Sequence, residues 1–261
     1  QRDATGRFRL YHSRDGRIVA SPGQRVLGAD SALALRRASA PLPSSLAWRF
    51  AFVAPGAVLE IAPADRTQLA ALHAGQLVLV EEDATGRTLA ATRVQAAGAL
   101  DDLYALAESL TDLGATPRND GTTLRLWAPT AQRVAACLHA DGRAGAHTLV
   151  PLTADAATGA WSYRHPANLS GQYYTYLVDV FVPGTGLVRN RVTDPYSVSL
   201  TADSRRSYIA DLGAAALLPV ITARTNAARV NEQRLLAIAI EAAEQCERLT
   251  VPAILPPRAL A

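Results

Sequence analysis

Histidine, cysteine and paired acids are the side chains here best suited to metal or nucleophilic chemistry, and their spacing serves neither. The five histidines are His12, His73, His139, His147 and His165, and no two stand at zinc-ligand spacing. Cys137 lies two residues from His139, but the only other cysteine, Cys246, is far along the chain. Each cysteine reads as a small buried hydrophobe. No G-x-S-x-G elbow exists. Gly184-Thr185-Gly186 is too short for a dinucleotide fingerprint and reads as a turn. Glu81-Glu82 and Asp101-Asp102 read as solvated surface, in a hairpin and at a helix start. All 26 basic residues are arginine, which removes the Walker-type phosphate loop and every lysine nucleophile. The sequence therefore offers no catalytic residue, no metal site and no cofactor.

Aromatic residues carry what signal remains. The stretch "WSYRHPANLSGQYYTYLVDV" concentrates Trp161, Tyr163, Tyr173, Tyr174 and Tyr176 on adjacent strand-like runs. Aromatic faces stack on sugar rings, and tyrosine hydroxyls add hydrogen bonds. The same residues equally suit the packed interior of a small β-sandwich, so both readings stay open.

The elements that would position them follow from periodicity. With 261 residues, about half of them apolar, the chain has room for one large or two to three small domains. No apolar run reaches the roughly 18 residues of a membrane span. The opening "QRDATGRFRL" has no signal-peptide character and the sequence contains no methionine, so a mature or excised fragment is expected. Net charge is +3, which gives no argument for nucleic acid.

The first hundred residues predict mixed β and α structure. "FRLYHSRDGRIVA" predicts a hairpin, "AWRFAFVAP" and "AVLEIAP" predict strands, and "ADRTQLAALHAG" predicts a short helix with Asp65 as cap. "QLVLVEEDATGRTLAATRV" predicts a hairpin turning at Asp83 to Gly86. "GALDDLYALAESL" predicts a helix with Leu100, Leu103, Tyr104 and Leu106/Ala107 on one face. After "GATPRNDG", read as a polar linker, short strands recur at the spacing of a β-sandwich. From Asp211 on there is no aromatic residue. The five arginines there (224, 229, 234, 248, 258) balance five acids (Asp211, Glu232, Glu241, Glu244, Glu247). "ALLPVITART" predicts a strand, and "NEQRLLAIAIEAAEQCERL" a helix capped by Asn231.

At "LRLWAPTAQRV", "GAWSYRHPANLSGQYYTYLVDV" and "VTDPYSVSLTADSRRSYIADL" the sequence resembles carbohydrate-binding module family 48, the starch-binding-type module of bacterial pullulanases. "RLYHSRDGRIVA…GQLVLVEEDATGR…GALDDLYALAESL" is similar to the accessory domain before that module. The resemblance implies an immunoglobulin-like β-sandwich around Trp127 and the YYTY strand. It also implies association with α-glucan (starch, pullulan or glycogen), or bracing of a (β/α)8 catalytic barrel that cleaves α-1,6 branches. A barrel needs about 250 residues and the remaining fifty cannot encode one, so no glucan hydrolysis is expected of this chain. Glycogen-binding relatives use exposed tryptophans and a lysine. Here "ADGRAG" and "FVPGTG" stand at the tryptophan positions, and Thr175 stands near the lysine position. Trp161, Tyr174 and Tyr176 are the candidates for glucan contact. Trp127 and the "DPY" turn of Asp194, Pro195 and Tyr196 are read as structural.

The tail resembles a segment of the knotted methyltransferases that modify uridine N3 of 16S ribosomal RNA, through Arg224, Asn226, Arg229, Glu241, Glu244 and Gln245. That family's cofactor loop and RNA-binding barrel are not in this sequence, so no methyl transfer is expected. The expected division is an accessory domain at 1–113, a β-sandwich at 114–212 and a strand–helix tail at 213–261, joined between 209 and 218. A natural fusion, a chimera, an assembly artefact and a divergent pullulanase linker all remain open. A pullulanase parent implies a secreted or cell-envelope location, and the tail family a cytoplasmic one. The fold class expected is mainly β: a small mixed α/β domain, an immunoglobulin-like sandwich and a helical tail.

Overall fold

The computed structural model describes residues 6–53, 56–94 and 97–211, together with Ala216, Leu217, Val220, Ile221, Gln233, Leu236, Ala253, Ile254, Arg258 and Ala259. The chain divides into two units, Gln1–Ile209 and Ala210–Ala261.

The larger unit is mainly β and opens with a five-stranded antiparallel sheet. Its strands are β1 (Arg7–Ser13), β2 (Ser31–Arg37), β3 (Leu59–Ile61), β4 (Gln76–Glu82) and β5 (Thr88–Arg93), in the order β3-β2-β1-β4-β5. The continuous apolar run "QLVLV" becomes β4, which is buried on both faces. Leu77 joins Leu10, Leu33 and Leu72 on one side, and Val78 and Val80 join Ile18 on the other. The β4–β5 turn closes as expected: the Asp83 carboxylate accepts from the Thr85 amide (2.8 Å) and the Arg87 amide (2.9 Å).

Four expectations change here. The partner of β1 across the first turn is β2, not the "GRIVA" run. Ile18 instead donates its amide to the Gln76 side chain (2.8 Å), and Val19 bridges Leu27. "AWRFAFVAP" is not a strand: Ser44–Arg49 forms the short helix α1, tied by Arg49 to Asp101 and Asp102. Asp65 caps nothing, because Pro63–Gln68 is a 3-10 turn that begins after Ala62 and runs into α2 (Leu69–His73). The helix α3 (Ala97–Leu103) and a 3-10 turn at Ala105–Ser109 follow. Tyr104 is buried as expected, whereas Leu106 is 64% exposed because the α-helical phase ends before it.

Two antiparallel sheets then form a sandwich. One holds β6 (Gly114–Arg118), β7 (Gly121–Trp127), β10 (Thr153–Ala154) and β11 (Ala160–His165), in the order β10-β11-β7-β6. The other holds β8 (Ala131–His139), β9 (Thr148–Pro151), β12 (Tyr173–Val182) and β13 (Gly186–Val192), in the order β13-β12-β8-β9, and β14 (Ser207–Tyr208) pairs with β12. "GATPRNDG" is therefore a strand and its turn, not a linker, since β6 pairs with β7 from Gly114↔Arg125 to Arg118↔Gly121. Leu124 and Leu126 of β7 face the core, together with Val134, Leu138, Tyr174, Tyr176, Val178 and Ile209. Each such side chain contributes about 1.5–3 kcal/mol of burial, set against the entropy of ordering it. Cys137 is buried and unbridged, as a small hydrophobe would be.

Sheet and sandwich are clasped together. The Gln132 amide donates to the carbonyls of Arg14 (2.8 Å) and Ala74 (3.0 Å), while Arg14 Nε donates to the Gln132 side-chain oxygen (3.0 Å). At Gly16, with φ +80°, a Cβ would stand 2.6 Å from the Phe181 ring, so the close approach needs glycine.

In the second unit, β15 (Ala216–Leu217) pairs with β17 (Ala253–Ile254), and β16 (Val220–Ile221) with β18 (Arg258–Ala259), both in parallel. Gln233 and Leu236 are helical. The rest of the expected helix, its Asn231 cap, Cys246 and the six methyltransferase-like residues lie outside the described residues. Among the described residues no helix is long and apolar enough to cross a membrane, and no cluster of metal-ligating side chains occurs.

Candidate functional site

Strand parity decides which aromatic residues of β12 reach solvent. Successive side chains alternate faces. Tyr174, Tyr176 and Val178 are buried in the sandwich, so Tyr173, Thr175, Leu177 and Asp179 take the outer face. Tyr174 and Tyr176 have no exposed surface, and their rings pack edge-to-face with centroids 5.4 Å apart. A ring enclosed on every side has no face for a sugar, so the expectation of glucan contact fails at both.

Trp161 lies half-buried on β11, in the other sheet. It packs against the core and donates its indole N–H to the Ala128 carbonyl (3.0 Å). Trp127 donates its indole N–H to the Thr158 carbonyl (2.8 Å).

The Asp194-Pro195-Tyr196 turn anchors the inner face. The Tyr174 hydroxyl donates to Asp194 Oδ2 (2.6 Å) and the Tyr196 amide to Oδ1 (2.8 Å), while the Asp194 amide donates to Ser207 Oγ (2.8 Å). Burial raises the Asp194 carboxyl above its ordinary value, against the hydrogen bonds that favour its charge. Burial, then the Asp194 charge, raises Tyr174 far above the ordinary phenol value. The Tyr176 hydroxyl is buried near the same carboxylate without a hydrogen bond of good geometry, and burial, then the Asp194 charge, raises it well above the ordinary value. The two tyrosines should therefore respond differently. Tyr174→Phe is expected to cost about 1–2 kcal/mol in denaturant unfolding, and Tyr176→Phe to be neutral or slightly stabilising.

The outer face is polar. Asp179 is buried among its neighbours and accepts from Arg189 Nε (2.6 Å) and Arg133 Nε (2.7 Å), mostly exposed arginines. The Arg189 hydrogen bond, aided by both positive charges, lowers its carboxyl.

Further along the same face a cleft of about 510 Å³ opens, lined by His139, Thr175, Arg191, Thr193, Ser204, Arg205 and Arg206. His139 stands directly across from Tyr173 in the β8–β12 register. The Tyr173 ring lies 5.0 Å from that of Tyr208 on β14, and both are partly exposed. The Thr201–Arg206 loop forms one wall. Thr201 Oγ1 accepts from the amides of Arg205 and Arg206 (both 3.1 Å), and Arg206 donates to the carbonyls of Asp141 (2.9 Å) and Arg143 (3.2 Å). Burial, with Arg206 and Arg191 acting the same way, lowers His139, so its imidazole is neutral near pH 7.

This arrangement can hold a polyol by hydrogen bonds and tilted phenol rings. It has no nucleophile–base pair. Sequence reasoning missed Tyr173 as a surface residue, and it missed Glu82. Far from being solvated, Glu82 is buried, accepts from the Tyr11 hydroxyl and pairs with Arg9 (3.3 Å). Burial first, then Glu82, raises the Tyr11 phenol to about 12.

Comparison with known proteins fits this fold. Residues 1–102 match the Pullulanase N2 domain, residues 112–197 carbohydrate-binding module 48 (isoamylase N-terminal domain), and residues 207–261 an RNA methyltransferase domain. A pullulanase of Klebsiella pneumoniae is 35% identical over 214 residues, covering 81% of this chain and 19% of the relative. Pullulanase 1, chloroplastic, of Arabidopsis thaliana is 31% identical over 194 residues, covering 74% of this chain and 19% of the relative. The Klebsiella pneumoniae pullulanase solved with maltotriose superposes with a TM-score of 0.71 at 31% identity, over 81% of this chain and 20% of that one. PulA of Klebsiella oxytoca gives 0.71 at 32% identity, over 81% of this chain and 19% of that one. The chain spans about a fifth of the length of these relatives. Over its first four-fifths, the chain thus carries the N-terminal, non-catalytic domains of pullulanases: a Pullulanase N2 domain followed by a carbohydrate-binding module 48 domain.

Proposed function

We propose that this chain binds α-glucan through the outer face of the β13-β12-β8 sheet and takes no part itself in glycosidic bond cleavage. The observation that carries the reading is the cleft around Thr175, on the face where the partly exposed Tyr173–Tyr208 pair lies, in a sheet whose strands β8, β12 and β13 fall within the module-48 match. Rings at this angle offer a sugar a hydrophobic contact, while Thr193, Ser204 and the arginines can bond its hydroxyls. Trp161 acts as a packing residue in this reading.

The buried carboxylates support the non-catalytic part. Glu82, Asp179 and Asp194 are each engaged in holding the fold, so they are poor candidates for glycosidic acid–base chemistry. The division into 1–113, 114–212 and 213–261 belongs to the same proposal, with the first two bracing a catalytic barrel where one is joined to them.

Calorimetric titration with maltohexaose tests the reading. Binding is expected, and Tyr173→Ala is expected to weaken it roughly tenfold, the worth of about one good aromatic contact. Equal affinity of the wild type and Tyr173→Ala would place the sugar elsewhere.

A further inference from the structure

The cleft's lining is rich in donors and poor in acceptors. A neutral sugar hydroxyl both donates and accepts, and is served best by carboxylates or amides paired with donors. Here the charged side chains of the lining are Arg191, Arg205 and Arg206, with no carboxylate among them. A guanidinium only donates, and its planar fork matches an oxyanion.

The neighbouring acids are turned away into their own loops. Asp141 accepts from the amides of Arg143 (2.7 Å) and Ala144 (2.6 Å). Asp203 accepts from Thr201 Oγ1 (2.6 Å) and pairs with Arg205 (3.6 Å). Arg205 is thus partly compensated. Arg206 is aimed by its bonds to two carbonyls and is acted on by the Asp141 charge, but neither it nor Arg191 forms an ion pair among the described residues. The two guanidiniums act on the neutral His139, whose pKa is lowered first by burial and then further by their two positive charges. Ser204, at φ 56°, is the one non-glycine residue with positive φ among the described residues, and it sits at the rim beside these groups.

We propose that this cleft receives a phosphate ester carried on a glucan chain, with Arg191 and Arg206 as the groups that hold the phosphate and the Tyr173–Tyr208 pair beside the adjoining sugars. The inference rests on the reading that this face holds glucan, and it narrows that reading to phosphorylated chains. The ester dianion supplies the acceptors that the lining lacks, and charge-assisted bonds to it are about twice as strong as neutral ones.

The full 261-residue chain is titrated with a maltoheptaose carrying one phosphate monoester, the same oligosaccharide after phosphatase treatment, and inorganic phosphate. The phosphorylated chain is expected to bind about tenfold tighter than its neutral counterpart at low salt, with the advantage shrinking as salt rises. Arg191→Gln, at an exposed position whose side chain makes no hydrogen bond or ion pair among the described residues, is expected to remove that advantage, and Arg206→Gln to do the same. Equal affinity for the two oligosaccharides overturns the phosphate proposal while leaving glucan binding intact. Inorganic phosphate binding as tightly as the phosphorylated chain, with no binding of the neutral one, overturns glucan as the carrier. No binding of any probe overturns both readings.

Discussion

Asp194→Ala is expected to lower stability by about 3 kcal/mol, a loss as large as that of truncating a buried core leucine. The carboxylate is 3% exposed and satisfies two donors at once, the hydroxyl of Tyr174 and the amide of Tyr196. Alanine leaves both donors in a space that water cannot reach. For a domain pair of this size the loss corresponds to a drop of about 6–12 °C in Tm, read by thermal unfolding.

The pH dependence separates this group from the others. Burial raises the folded-state value of Asp194, so the native state binds its proton more tightly than the unfolded chain does. Its contribution is fully present below the unfolded value of about 3.9 and declines as pH rises through the raised folded value. Asp179 has the opposite sign, because its lowered value makes its contribution present above the ordinary range and lost as pH falls through the folded value. Asp194→Asn removes only the first dependence. The stability gap between wild type and Asp194→Asn should therefore be widest in acid and narrow as pH rises. A gap that widens with pH would contradict the raised carboxyl.

Gly121→Ala is the second large expected effect, at about 2–3 kcal/mol. Gly121 opens β7 at φ +149°, where an added Cβ would stand 2.5 Å from the carbonyl oxygen of His165. That oxygen belongs to the backbone of β11, whose register against β7 ends at His165↔Thr122. No side-chain rotation relieves the clash. The β7–β11 pair must part at this end, where Thr122 Oγ1 also accepts from the buried Leu169 amide (2.8 Å). Denaturant unfolding reads the cost, and a loss below about 0.5 kcal/mol would mean that the strand ends separate freely.

The architecture was legible where alternation is clean. β7 alternates strictly, with Leu124 and Leu126 inside, and the β4–β5 hairpin announced itself through Asp83 and Gly86. The site was less legible because its residues depend on parity. Four aromatic and polar residues in a row, Tyr173 to Tyr176, favour neither face by type. The phase is carried further along by Val178 inside and Asp179 outside, and following it back puts Tyr173 and Thr175 outside. A shift of one residue moved the glucan expectation to the wrong pair. The same parity links Val78, Val80 and Glu82, which would have marked Glu82 as buried. The clasp at Gln132 and the arginines of the cleft come together through long-range packing, for which the local sequence has no marker.

Affinity electrophoresis of the full chain and of Tyr173→Ala, in gels cast with and without pullulan, tests the central claim most directly. Retardation of the wild type by pullulan, largely lost in Tyr173→Ala, is the predicted result. Unchanged mobility of the wild type in the presence of pullulan would contradict a glucan-binding face on this sandwich.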